Sequence, residues 1–247
     1  GAMYPGCELY GHADVDAPVQ PPGDNDWLIP YSRLNQGALP GAIPSIDNPV
    51  YVEREIDFMP YLDDETLCLV TQIGGDVYVY PHPVMEWHEV VNDTKAGMPV
   101  SVMYCPLTGS GNVWLREHKG QELEFEVSGL LYNGNLIVKE RLSGSYWSQL
   151  RNRAVAGVYK GTKPNGLQVL EMPLASARKL FKRFKLLSDR TEFNFEYGNF
   201  PCGDYCTNHD LILYSLDFDD PRVPRKERTF GVLAGGKAKV YRQSAFQ

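Results

Sequence analysis

Short apolar runs separated by turn residues dominate this chain. "TLCLVTQIGGDVYVYP" (66–81) places two such runs around Gly74-Gly75, which reads as a β-hairpin because glycines supply the positive φ of a tight turn. "PVSVMYCP" (99–106) reads as a buried strand stopped by Pro106. Alternation puts Val100, Val102 and Tyr104 on one of its faces and Ser101, Met103 and Cys105 on the other. "NVWLREHKGQELEFEVSG" (112–129) predicts another hairpin with Lys119-Gly120 at its tip, and "NLIVKERLSGSYWSQL" (135–150) continues the sheet.

Helical periodicity is scarce. "PVMEWHEVVND" fits a short helix over 83–91 opened by Pro83. "LASARKLFKRFKLL" predicts a helix over 174–187, with Leu174, Ala177, Leu180, Phe181 and Phe184 as its apolar stripe and a basic, solvated opposite face. Residues 4–37 are rich in Pro, Gly, Asp and Asn and keep neither period, which predicts an irregular arm laid across a core. Gly1-Ala2-Met3 reads as a cloning remnant, and 38–247 as one domain. The expected class is therefore α+β: β-rich, with mixed or antiparallel sheets, a few short helices and a long N-terminal arm. An echo runs through it. "LVTQIGGDVYVY" (69–80) and "FGVLAGGKAKVY" (230–241) share a Gly-Gly turn and a closing Val-Tyr, so both should be hairpins.

Composition narrows the partners. With 31 acidic against 24 basic residues and a net charge of −7, the chain repels phosphate backbones, and nucleic acid is not an expected partner. No apolar run approaches the roughly 18 residues of a membrane span. Five cysteines leave at least one unpaired within the chain. Cys202 and Cys206 sit in the turn-rich "FPCGDYCTN", where a local bridge could close.

Candidate chemistry centres on "WHEVVND" and "VMYCPLTGSG". Cys105 lies at a strand end beside a Gly-containing turn whose free N–H groups could hold an anion or oxyanion. A buried free Cys, equally, is often a small hydrophobe. His88 shares its predicted helix face with Val84, Met85 and Val91, where a hydrogen-bonded core His is the common outcome. If the helix packs on the Cys105 face of the strand, the two converge. An imidazolium beside a thiol yields a reactive thiolate, and the same pair suits a soft or borderline metal such as copper. Thr108, Ser110, Ser128, Tyr132, Asn135, Trp147 and Ser148 are further candidates for a ligand site.

"YPHPVMEWHEVVNDTKAGMPVSVMYCPLTGSGNVW", "FEVSGLLYNGNLIVKERLSGSYWSQL", "AVAGVYKGT", "YGNFPCGDYCTNHDLIL" and "VPRKERTFGVLAGGKAKVY" together resemble the bacterial and algal proteins grouped as domain-of-unknown-function family 3179, over roughly residues 38–247. The resemblance implies an exported, extracytoplasmic protein and brings no settled activity. It points to His88, Cys105, Tyr132, Asn135, Trp147 and Ser148 as positions of the recurrent pattern. Some members carry a second Cys where this chain has Thr108, which argues against an obligatory two-Cys cycle here. Three functions follow as expectations: a copper site using His88 and Cys105; an enzyme with Cys105 as nucleophile and His88 as base; or a non-catalytic module that binds a small molecule or protein in a pocket lined by Tyr and Trp.

Overall fold

The computed structural model describes residues 23, 26–53 and 59–246. In chain order the strands are β1 (Leu34–Gln36), β2 (Tyr51–Glu53), β3 (Leu67–Ile73), β4 (Asp76–Pro81), β5 (Val90–Lys95), β6 (Met98–Cys105), β7 (Ser110–Leu115), β8 (Glu117–His118) and β9 (Gln121–Glu122). There follow β10 (Phe125–Tyr132), β11 (Asn135–Glu140), β12 (Tyr146–Ser148), β13 (Arg153–Ala156), β14 (Gly166–Leu167), β15 (Val169–Pro173), β16 (Lys185–Leu187), β17 (Thr229–Ala234) and β18 (Lys237–Arg242). Among the described residues the α-helices are α1 (His82–His88) and α2 (Leu174–Leu180).

Three sheets carry the core. One has the order β15-β3-β4-β16-β2, the next β14-β7-β6-β5, the third β1-β10-β11-β12-β13. Their buried side chains show how they stack. Leu69, Ile73, Tyr78 and Tyr80 of the first sheet meet Val100, Val102, Tyr104 and Val113 of the second. The other face of the second sheet, with Met103, Cys105 and Trp114, meets Phe125, Val127, Leu136, Val138 and Trp147 of the third. The second sheet is thus sandwiched, which is why β6 is buried on both faces as its continuous apolar run suggests. α2 covers the outer face of the first sheet, and Trp27 and Ile29 cover that of the third.

Helix α1 crosses from the first sheet to the second, and it ends sooner than 83–91. Glu89 takes φ 57 and Val90 begins β5, paired with Met103. The stretch between the predicted helix and the predicted strand is mostly strand too: Asn92 pairs with Ser101 and Lys95 with Met98 in a tight hairpin. α2 likewise stops at Leu180, which is 65% exposed and not part of an apolar stripe. Residues 185–187 instead form β16, parallel to β4 and antiparallel to β2, because a strand there fills the sheet between the two. Leu34–Gln36, assigned to the arm, pairs with Tyr132–Leu130 as an edge strand. The rest of the expected arm before residue 26 lies, apart from Gly23, outside the described residues.

Both halves of the echo are hairpins. Ile73 pairs with Asp76 and Ala234 with Lys237, with all four turn glycines at positive φ. Their settings differ: β3–β4 lies inside a five-stranded sheet, whereas β17–β18 is a sheet of its own with Phe230, Val232 and Val240 about half exposed. No helix among the described residues is long and apolar enough to cross a membrane.

Candidate functional site

The predicted convergence of His88 with Cys105 does not occur. α1 packs on the Val100, Val102 and Tyr104 face of the second sheet, through Val84, Met85 and Trp87. Cys105 points to the opposite face, among Met103, Trp114 and Leu136. The sheet stands between them. The helix is drawn to the far side because it must bury Val84, Met85 and Trp87 against both sheets it connects.

Each partner is satisfied separately. His88 is fully buried, with Nδ1 2.8 Å from the Pro44 carbonyl and Nε2 2.7 Å from the Tyr197 hydroxyl, inside a cage of Phe193, Phe195 and Tyr197. Burial holds its pKa down to about 4, so it is neutral near pH 7. Cys105 is 1% exposed, and its Sγ donates weakly to the Gly134 carbonyl at 3.8 Å. Burial first, then the nearby Glu89 carboxyl, push its thiol up to about 11. A buried, protonated thiol without a base is a poor nucleophile and a poor metal ligand. Among the described residues, no three His, Cys, Asp or Glu side chains gather as a metal-binding set.

What reaches the Cys105 side is Glu89. Its backbone is pinned at both ends: its N–H donates to Met85 O (2.7 Å) and its carbonyl accepts from Tyr104 N–H (2.8 Å). The left-handed turn between them reverses the chain and sends this one side chain to the face opposite His88. A non-glycine residue held at positive φ between two ordered elements is the kind of strained position that recurs at sites.

Glu89 lines an apolar cleft that is partly open to solvent. Gly37, Ala38 and Ile43 form one wall; Pro106 and Leu107, just after Cys105, form the floor; Leu130, Leu131 and Leu136 of the third sheet face them. Leu213 and Tyr214 close the rim together with Cys202. Local devices hold this shape. β10 shifts register between Val127 and Leu131, and the bulge carries Gly129 at φ 79. A Cβ there would stand 2.3 Å from Ala38 O, and the Gly129 carbonyl accepts from Gly37 N–H at 2.8 Å. The bulge thus both opens the sheet and ties the wall to it. Tyr205 Oη donates to Leu107 O (3.0 Å), clasping the rim segment to the floor.

Glu89 is 7% exposed as a residue, its carboxyl oxygens keep a small contact with solvent, and no described group hydrogen-bonds to them or pairs with them. Burial alone raises its pKa to about 8, so the acid keeps its proton near neutrality.

The remaining nominated residues divide clearly. Thr108, Ser110 and Asn135 converge, joined by Gln149: Thr108 Oγ1 and Ser110 Oγ lie 2.8 Å apart, and Asn135 Nδ2 donates to Gln149 Oε1 at 2.7 Å and to Thr108 at 3.0 Å. Ser110 Oγ donates to Gln149 Oε1 (2.9 Å), and Asn135 Oδ1 accepts from Leu150 N–H. The network uses its polar atoms internally and braces the 106–110 turn under the cleft. Ser128, at the bulge, donates to the Ile137 carbonyl. Tyr132 instead hydrogen-bonds Asp217 at 2.9 Å, holding down the surface segment after Tyr214. Trp147 packs against Trp114, Phe125 and Tyr159 at 1% exposure, and Ser148 is buried in β12. The cleft is therefore aliphatic, with Tyr214 as its aromatic wall, and not the Tyr- and Trp-lined pocket expected.

The local bridge does not form either: Cys202 is disulfide-bonded and Cys206 carries a free thiol. Sequence reasoning missed Glu89. The available signal was a single carboxylate inside the apolar run "WHEVV", hidden because the predicted helix over 83–91 runs straight through it.

Fold and site together define a β-rich protein of stacked sheets with one buried carboxyl in an apolar cleft. Residues 40–247 match the family model described as "Protein of unknown function (DUF3179)", and the chain belongs to that family. No curated protein and no solved structure gives a significant match.

Proposed function

We propose that this is an extracytoplasmic binding protein that takes a small, largely apolar molecule into the cleft beside Glu89. The observation that carries the reading is the cleft itself: a concave, mostly apolar site lined by one carboxyl residue without a described partner, the usual composition of small-molecule sites. An exported setting is supported by the disulfide at Cys202, since such bonds persist in oxidising compartments. Copper binding and cysteine catalysis both need His88 next to Cys105. The residues do not fit either, because both His88 nitrogens are engaged on the other side of the sheet.

The test uses N-phenyl-1-naphthylamine, whose fluorescence rises in apolar sites. The protein should saturate with the probe at one site per chain, and Ala38→Trp, which fills the cleft from its loop wall, should abolish the signal while leaving the circular dichroism spectrum unchanged. Equal probe binding by a folded Ala38→Trp variant contradicts the proposal.

A further inference from the structure

The nature of the ligand's polar group can be read from what surrounds Glu89, granted that the cleft is the binding site. The groups that titrate and face the carboxyl are the Cys105 thiol from β6 and the Tyr214 phenol from the rim. Both are neutral near pH 7, and neither supplies a positive charge to offset a negative one there. No described Lys, Arg or His pairs with it, and no described donor reaches its oxygens. A molecule that fills the cleft displaces the solvent these oxygens touch, and a polar group then buried without a partner is costly.

We infer that the cleft binds a neutral apolar molecule bearing one hydrogen-bond-accepting oxygen, a ketone, ester or ether, which accepts a hydrogen bond from the Glu89 carboxyl. The alternatives fit less well. An ammonium would require Glu89 to ionise, creating a desolvated ion pair with none of the extra donors that sustain one. A carboxylate ligand would face the acid with no cation to hold it. A pure hydrocarbon would fill the cleft yet strand the carboxyl in a dry environment. A neutral acceptor answers the one unmet group and leaves the aliphatic walls to its apolar body. Loss of the proton turns the donor into a bare carboxylate, so the ligand is released as pH rises past about 8.

The experiment compares three molecules of nearly one shape: acetophenone, α-methylstyrene and 1-phenylethylamine. Binding is followed by methyl NMR shifts of Leu107, Leu131 and Leu136. At pH 6, acetophenone is expected to bind at least fivefold tighter than α-methylstyrene. At pH 9 its affinity should fall about tenfold, matching the fraction of Glu89 still protonated. Glu89→Gln, which keeps an N–H donor, should bind acetophenone equally at both pH values. Glu89→Leu should prefer α-methylstyrene. Equal binding of ketone and alkene at pH 6, or tightest binding by the amine, overturns the inference while leaving the cleft reading intact. If none of the three moves the cleft methyls, the cleft reading falls and the inference falls with it.

Discussion

At the scale of single residues, Glu89 and the buried histidines pull stability in opposite directions with pH. Glu89 has a folded pKa near 8 against an ordinary value of 4.5. Between those values the native state holds a proton that the unfolded chain has lost, so stability falls as pH rises through the interval. Glu89→Gln should therefore stabilise the protein by an amount near zero at pH 4 that grows to a few kcal/mol by pH 8. Urea midpoints at pH 4, 6 and 8 check this, and a constant difference would show that the carboxyl is not buried as described. His88 and His82 run the other way. Burial lowers them to about 4 and about 3, so their share of stability is complete above pH 6.5 and is lost as pH falls through the folded values. Replacing His88 with Gln should cost stability at pH 7 by breaking its two hydrogen bonds, yet cost less at pH 4, where the parent has itself been weakened. These effects were hidden from the sequence. Alternation correctly placed Cys105 on a face, but nothing local says which face a neighbouring helix will cover. Glu89's role depends on a helix end that only the pairing of Val90 with Met103 fixes.

At the scale of elements, the β10 bulge is the device that makes the cleft. Gly129→Ala would force a Cβ against Ala38 O in a backbone region that alanine avoids. A loss of roughly 2 kcal/mol or more is expected, together with loss of probe binding. A neutral effect in thermal melts would show that the bulge relaxes freely. The two echoed hairpins offer a second check. They share turn and register, but β3–β4 is bound on both sides by β15 and β16, whereas β17–β18 has no third strand. Amide exchange in 69–80 should be slower than in 230–241 by orders of magnitude, because two-stranded ribbons with little packing open easily. Both hairpins were legible because turn glycines and alternation are local signals. The two helices were overdrawn for the same reason: apolar runs at 90–91 and 184–187 kept the helical period while the sheets claimed them as strands.

At the scale of the whole molecule, the stack of three sheets leaves the cysteines in different environments. Burial raises all three free thiols, to about 12 for Cys68 and about 11 for Cys105 and Cys206, but Cys68 and Cys105 are sealed while Cys206 is exposed and within reach of a reagent. A thiol reagent at pH 8, with peptide mapping, should label Cys206 first and reach Cys105 and Cys68 only on unfolding; early labelling of Cys105 would reopen its reading as a reactive residue. The β-rich class and most strands followed from pattern, and the family from extended resemblance now matched over residues 40–247. The layering did not, because which sheet faces which is decided by contacts far apart in sequence, such as Val102 with Tyr80 and Met103 with Val127 in their separate cores. The central claim is that the cleft beside Glu89 is a ligand site, and a crystal structure of the protein grown at pH 6 with acetophenone tests it most directly. The account predicts the ring between Leu107, Leu131 and Leu136 with its oxygen at hydrogen-bond distance from the Glu89 carboxyl. Acetophenone bound elsewhere, with the cleft left unfilled, would contradict it.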